Sequence, residues 1–175
     1  MRQNLNHIEL DSVQRCCEHL GIDTTNKLVN IVNLDTIGTV EYTPKKMGVY
    51  AIACCWFDEH DTGAELHFFG PGYTDTLEDS LSFSPHGWLL IFDPALLEDY
   101  LLAGRMPEYK FFTTDSTNML RLNNEERHMV ICSMQNVRIE LFNSEDKFSR
   151  RIITAGIAVL LNLCMRYYER QHTEP

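Results

Sequence analysis

The stretch Gly48-Val49-Tyr50-Ala51-Ile52-Ala53-Cys54-Cys55-Trp56-Phe57 decides how the rest of the chain is read. It carries no charge and is rich in β-branched and aromatic side chains, which predicts a strand. Both of its alternating faces are apolar, so the strand is expected to be covered on both sides. Thr43-Pro44-Lys45-Lys46-Met47-Gly48 is a turn leading into it, and Asp58 to Gly63 is a polar turn leading out. Ala64-Glu65-Leu66-His67-Phe68-Phe69 reads as the next strand, closed by Gly70-Pro71-Gly72. A short strand is expected near Ser80 to Phe83, and Ser84-Pro85-His86-Gly87 turns the chain into Trp88-Leu89-Leu90-Ile91-Phe92. Upstream, Leu28, Val29, Ile31 and Val32 predict one more strand from Lys27 onward. Short strands punctuated by Gly/Pro turns at intervals of about ten residues predict a β-barrel or sandwich.

Outside this region the period becomes helical. Leu10, Val13, Cys17 and Leu20 share a face, with Asp11 or Ser12 to cap the helix and Gly21 to end it. After Phe92, Asp93 as N-cap and Pro94 at the first position start a helix that Gly104 and Pro107 keep short. The aromatic patch Tyr109-Lys110-Phe111-Phe112 leads into a loop. Asn123 and Glu126 form a capping-box pattern before Val130, Met134, Val137 and Leu141, and Asn143 to Asp146 break that helix. The last helix runs from about Lys147 to Gln171. Phe148, Ile152, Ala155, Val159 and Leu163 make one apolar stripe on it. Ile153, Ile157, Leu160, Leu161, Cys164 and Tyr168 add more apolar surface than one partner helix covers. This helix is therefore expected against the strands, its sister helix and a second copy of the chain. Strands first and helices last, with no repeat or linker, predict an α+β chain in one unit.

Charge narrows the function classes. Fifteen Lys and Arg against 25 Asp and Glu give a net charge of −10 in 175 residues. A nucleic-acid-binding surface announces itself as a basic stripe, and none is present. No Lys or Arg occurs between Lys46 and Arg105, while that interval holds Asp58, Glu59, Asp61, Glu65, Asp75, Glu78, Asp79, Asp93, Glu98 and Asp99. It reads as a solvated acidic face. The sharper reading is a region that repels anionic ligands.

The six cysteines, Cys16, Cys17, Cys54, Cys55, Cys132 and Cys164, have no C-x-x-C spacing. They read as reduced, mostly buried thiols of a cytosolic protein. Met1-Arg2-Gln3-Asn4 has no apolar signal core, and the apolar run Ile152 to Met165 is too short to span a bilayer.

Motifs for chemistry are sparse. His60 and His67 are seven residues apart without an H-x-H, so no metal set is expected and His67 reads as a strand residue. His128 and Cys132, one helical turn apart, would juxtapose imidazole and thiol, although Cys132 reads first as a core thiol and His128 as a surface residue. Glu65 and Glu78 form a carboxylate pair only if the fold joins them. No G-x-S-x-G, H-E-x-x-H or G-K-[ST] occurs. What remains is aromatic. Tyr50, Trp56, His67, Phe69 and Trp88 are the candidate lining of a small-molecule pocket inside the strands, and a filled core without ligand is the alternative.

Several segments resemble the sensor domain of AraC-type transcriptional regulators from Bacteroides-like bacteria. Pro85-His86-Gly87-Trp88-Leu89-Leu90-Ile91-Phe92-Asp93-Pro94-Ala95-Leu96-Leu97 is similar to their P-x-G-W-x-L-x-F-x-P-x-L-L segment. Tyr109-Lys110-Phe111-Phe112 resembles the aromatic patch that follows there, and Leu122-Asn123-Asn124-Glu125-Glu126-Arg127 their L-S/T-x-x-E helix start. Leu161-Asn162-Leu163-Cys164-Met165-Arg166-Tyr167-Tyr168-Glu169-Arg170-Gln171 resembles the end of their last sensor helix. The resemblance runs from about Gly48 to Gln171.

It implies a small cupin-like β-barrel followed by a C-terminal antiparallel helical hairpin. Residues 1–121 would be the sensor barrel with its N-terminal segment, and 122–175 the hairpin. It implies a homodimer built on Ile153, Ile157, Leu160, Leu161, Cys164 and Tyr168, a small-molecule effector, no cofactor and no membrane. DNA would be bound only through a separate helix-turn-helix domain. No such domain follows Pro175, so the expectation is a piece of a regulator or a stand-alone sensor. The stretch from Phe57 to Gly70 is shorter than in that family, which implies a smaller pocket or none. Two readings of other classes stand beside it: a cupin-type metal-dependent isomerase or dioxygenase, and a protein-interaction module with a filled barrel.

Overall fold

The computed structural model describes residues 7–41, 45–58, 60–74, 82–113 and 119–173. In chain order they form β1 (Ile8–Leu10), α1 (Val13–Leu20), β2 (Val29–Asn33), β3 (Val40–Glu41), β4 (Lys45–Met47), β5 (Tyr50–Trp56), β6 (Ala64–Phe69), β7 (Ser82–Phe83), β8 (His86–Phe92), α2 (Leu101–Arg105), β9 (Met119–Leu122), α3 (Asn124–Phe142) and α4 (Ser149–Thr173). The expected turn residues Thr43 and Pro44, and Glu78, lie outside the described residues.

Side chains at the helix ends explain where the helices begin and stop. Ser12 accepts from the Arg15 N–H to start α1, and Gly21, at φ 70°, ends it in the left-handed conformation that glycine adopts without strain. Asn123 accepts from the Glu126 N–H while Glu126 accepts from the Asn123 N–H, so both halves of the capping box form at α3. Before α4, one Asp146 carboxylate oxygen accepts from the N–H groups of Phe148 and Ser149. Asp93 caps as expected, but the turn it starts, Pro94–Leu97, is a 3-10 helix, and Lys110–Phe112 is another.

The main sheet has five antiparallel strands in the order β2-β8-β5-β6-β9. The fold is thus mixed α and β, as expected. The expected closed barrel is not: β2 and β9 are edges, and no ladder joins them among the described residues. The remaining strands pair off separately, β1 with β4 in parallel and β3 with β7 antiparallel. Short two- and three-residue ladders replace the second half of the expected barrel wall. The fifth strand, β9, straddles the boundary drawn at 121/122, because Leu120 and Leu122 pair with Leu66 and Ala64 of β6.

Both faces of the sheet are covered. One face, carrying Ile31, Ile52, Leu66, Phe68, Leu90 and Phe92, packs on the inner faces of α3 and α4. The other, carrying Val32, Ala51 and Ile91, packs under α1 and the β1–β4 pair through Leu10, Val13, Cys17, Met47 and Val49. This accounts for the unbroken apolar run in β5, whose Ile52 and Cys54 are fully buried on one side and Ala51 and Cys55 nearly so on the other. The helices α3 and α4 lie side by side, with Glu126 at the start of one paired to Arg170 at the end of the other. Arg127 and Arg150 then tie them to the sheet region. Arg127 donates to the carbonyls of Asp61 and Gly63, and Arg150 to those of Ala95, Leu96 and Glu98.

By length and composition α4 is long and apolar enough to cross a membrane, contrary to the shorter run read from the sequence. One side of it, carrying Ile153, Ile157, Leu160 and Leu161, is buried in the core, while Ile152 and Val159 are exposed.

Candidate functional site

Successive side chains of a strand point to opposite faces, so register decides which candidate residues share a site. Tyr50 pairs with Phe92, Ala51 with Phe69 and Ala53 with His67. Tyr50, Trp56 and Trp88 consequently face the helices, while His67 and Phe69 face away from them. The five expected pocket residues do not line one cavity.

The helix-side three are filled in by neighbours. Tyr50 stacks on Phe92 with ring centroids 5.0 Å apart and meets Phe112 edge-on at 4.9 Å. Burial pushes its phenol above the ordinary range. The Arg127 guanidinium lies 4.7 Å from the Trp56 ring, and that of Arg138 lies 5.4 Å from Trp88. Phe111, from the aromatic patch, stacks on Phe68 at 4.0 Å and meets Tyr168 of α4 at 5.9 Å. This aromatic layer is the glue between sheet and helices.

The opposite face holds the polar pair. Glu65 and His67, two residues apart on β6, point the same way, and Glu65 Oε2 lies 3.0 Å from His67 Nε2. Each side chain is about a third exposed, at 35% and 33%. Across the ladder from them stand Cys55 and Ala53 of β5, and beyond these Gly87 and Leu89 of β8. The floor beside the pair is therefore small at Cys55, Ala53 and Gly87, with Leu89 at its far side. Gly87 is held small by geometry: at φ 121°, an added Cβ would lie 2.1 Å from the Cys54 carbonyl oxygen. Phe69 meets Tyr73 edge-on at 5.1 Å, with the Lys45 ammonium 5.3 Å from the Phe69 ring. On the other flank, Arg121 of β9 stands opposite Glu65 and Met119 opposite His67. A carboxylate and an imidazole over a small-residue floor can accept and donate hydrogen bonds to one polar group of a ligand. Among the described residues, no three His, Cys, Asp or Glu side chains gather as a metal site would require. Burial, with Glu65 adding to it, pushes the Cys55 thiol up to about 12, so it is no nucleophile.

Cys132 departs from expectation. It is exposed on α3, with its Sγ 3.5 Å from Nε2 of His128. The other five cysteines are buried, as the sequence suggested.

The candidate dimer residues also divide. Ile153, Ile157, Leu160, Leu161 and Cys164 are buried within the chain's own core, at most 4% exposed, and Tyr168 is half-buried against it. They are not surface that a second copy meets. The outward face of α4 instead carries Ile152 and Val159, at 49% and 57% exposure, together with Ala155, and Phe148, 50% exposed, continues it in the turn just before the helix. Met129, Ile139 and Phe142 are exposed on α3.

Compared with known proteins, the chain matches no family model and no curated sequence. Two surfaces of the chain stand out. One is the sheet face with Glu65 and His67. The other is the outer stripe of α4. Spacing alone groups 148, 152, 155, 159 and 163, so the signal for the stripe is present in the sequence, although Leu163 is half-buried against the core. Deciding which of the two apolar stripes is inside required the sheet.

Proposed function

We propose that this chain is the effector-sensing and self-pairing module of an AraC-type transcription regulator, acting on DNA through a separate helix-turn-helix domain. The resemblance from Pro85 to Leu97 and from Leu161 to Gln171 supports the family reading. The acidic balance of −10 agrees with a module that leaves DNA contact to another domain. The sensing surface is the sheet face around Glu65 and His67, and its effector is a small polar molecule.

The observation that carries the reading is the outer stripe of α4. Phe148, Ile152, Ala155 and Val159 are spaced 4-3-4, the seam pattern of paired helices. A two-fold axis between Ile152 and Ala155 would place Phe148 against the second copy's Val159 and Ile152 against its Ala155. Beyond Val159 the outward face turns polar at Asn162 and Arg166, and Leu163, next in the stripe, is half-buried against the chain's own core, which ends the seam. The pairing belongs to this outer stripe and not to the inward-facing Ile153, Ile157 and Leu160.

Sedimentation velocity on the full chain tests it. The wild type is expected as a dimer at micromolar concentration, and Ile152→Asp/Val159→Asp as a folded monomer with unchanged far-UV circular dichroism. A wild-type monomer at 100-fold higher loading overturns the reading.

A further inference from the structure

The last turn of α4 is tied to the edge of the sheet through Gln171. Gln171 Nε2 donates to the Arg121 carbonyl at 2.7 Å, and Gln171 Oε1 accepts from the Arg121 N–H at 3.1 Å. The side-chain amide thus pairs with the free edge of β9 as the peptide of a neighbouring strand would. One residue earlier, the Arg170 guanidinium donates to both carboxylate oxygens of Glu126 at the start of α3. Tyr168, in the same turn, touches Phe111 and stacks on His172. The backbone unit that Gln171 grips is that of the residue directly opposite Glu65, and the next same-face pair along the ladder is Met119 with His67.

We propose that Gln171 is a latch that couples the Glu65–His67 face to the C-terminal turn of α4. Both latch bonds are exposed, so water competes for them and each contributes little net free energy. Strand β9 is a four-residue edge strand, held to the sheet on one side by β6 alone. A change in how Glu65 and His67 are engaged alters the β6–β9 pairing, and Arg121 carries that change to Gln171. The equilibrium of the last turn then shifts by the difference in affinity between its two states. For its purpose the latch rests on the sensor reading. Its test does not, because it reads the chain alone.

Hydrogen exchange followed by NMR on the full chain decides. Gln171→Ala is expected to lower protection of the Arg121 amide roughly tenfold and to move the His67 ring resonances, which it does not touch. Gln171→Glu, which keeps the acceptor and loses the donor, is expected to fall between. In the reverse direction, Glu65→Gln and His67→Ala are each expected to change exchange of the Tyr168 to His172 amides at least threefold. The latch as coupling device is overturned if Gln171→Ala frees the last turn while His67 stays unmoved. It is equally overturned if both β6 variants leave residues 168 to 172 unchanged. The sensor reading fails separately, by sedimentation, whatever exchange shows.

Discussion

Gly156 of α4 packs against Val137 of α3: a Cβ added at Gly156 would lie 2.8 Å from Val137 Cγ2. Val137 is buried and β-branched, so its side chain has little freedom to move aside. Gly156→Ala is therefore expected to destabilise by about 1–2 kcal/mol, the overpacking cost outweighing the helix-propensity gain of about 1 kcal/mol. Val137→Ala/Gly156→Ala relieves the clash and is expected to be more stable than Val137→Ala alone. Urea midpoints of the four proteins check this. If Gly156→Ala alone proves stabilising, the contact is looser than the geometry indicates.

The thiols make a second, independent prediction. Burial pushes Cys16 and Cys54 up to about 12, and Cys55 likewise, and raises Cys164 as well. In the unfolded chain these groups ionise near their ordinary value of 9.0. Above that pH the unfolded state therefore binds fewer protons than the folded state, and stability falls as pH rises from about 9 toward 12. In native protein at neutral pH, a disulfide reagent such as dithionitrobenzoate is expected to modify one thiol, Cys132, within minutes, and all six after denaturation. Cys132→Ser is expected to abolish the rapid phase. Rapid reaction of a second thiol would mean that one of the buried five is accessible in a local opening.

Much of this architecture is legible before any coordinates. The strand Ala64–Phe69, the Ser12 and Gly21 caps and the Asn123/Glu126 box follow from residue chemistry within four positions of each other. What local chemistry does not contain is register. Tyr50 and Phe69 are both aromatic and both on strands, but the pairing Ala51↔Phe69 puts them on opposite faces. Likewise, α4 carries two apolar stripes, and only the sheet decides that the one through Ile157 is inside and the one through Val159 outside. The open sheet was hidden for the same reason. Turn signals mark where strands end, while closure depends on which edges meet.

Arg127 links the polar turn after β5 to α3 and covers Trp56, so its removal should be visible optically. It donates to the Asp61 and Gly63 carbonyls at 2.9 and 3.0 Å while its guanidinium sits over the Trp56 ring. Arg127→Ala is expected to cost about 1–3 kcal/mol, the two charge-assisted bonds contributing most. Arg127→Lys keeps the charge but not the fork and is expected to fall between. In a Trp88→Phe background, fluorescence reports Trp56 alone, and Arg127→Ala is expected to shift its emission to the red as the indole becomes wetter. An unshifted spectrum with an unchanged urea midpoint would show that the contact contributes nothing.

Glu126 serves two elements at once, and this predicts non-additive mutants. Its side chain is 9% exposed; it accepts from the Asn123 N–H at 3.0 Å and receives both arms of the Arg170 guanidinium, whose own side chain is 41% exposed. Removing Arg170 leaves a nearly buried carboxylate without its cation, but the exposed side of the pair is screened by water, so Arg170→Ala is expected to cost about 1–2 kcal/mol. Glu126→Gln keeps an acceptor for the cap and is expected to cost about 1 kcal/mol, whereas Glu126→Ala also loses the side-chain half of the capping box and is expected to cost about 2–3 kcal/mol. The double variant Glu126→Gln/Arg170→Ala is expected to cost less than the sum, since the neutral amide has no buried charge to strand. The cycle is read from urea midpoints at pH 7 and again at high salt. If the two effects simply add under both conditions, the fork on Glu126 is not what holds the end of α4 to the start of α3.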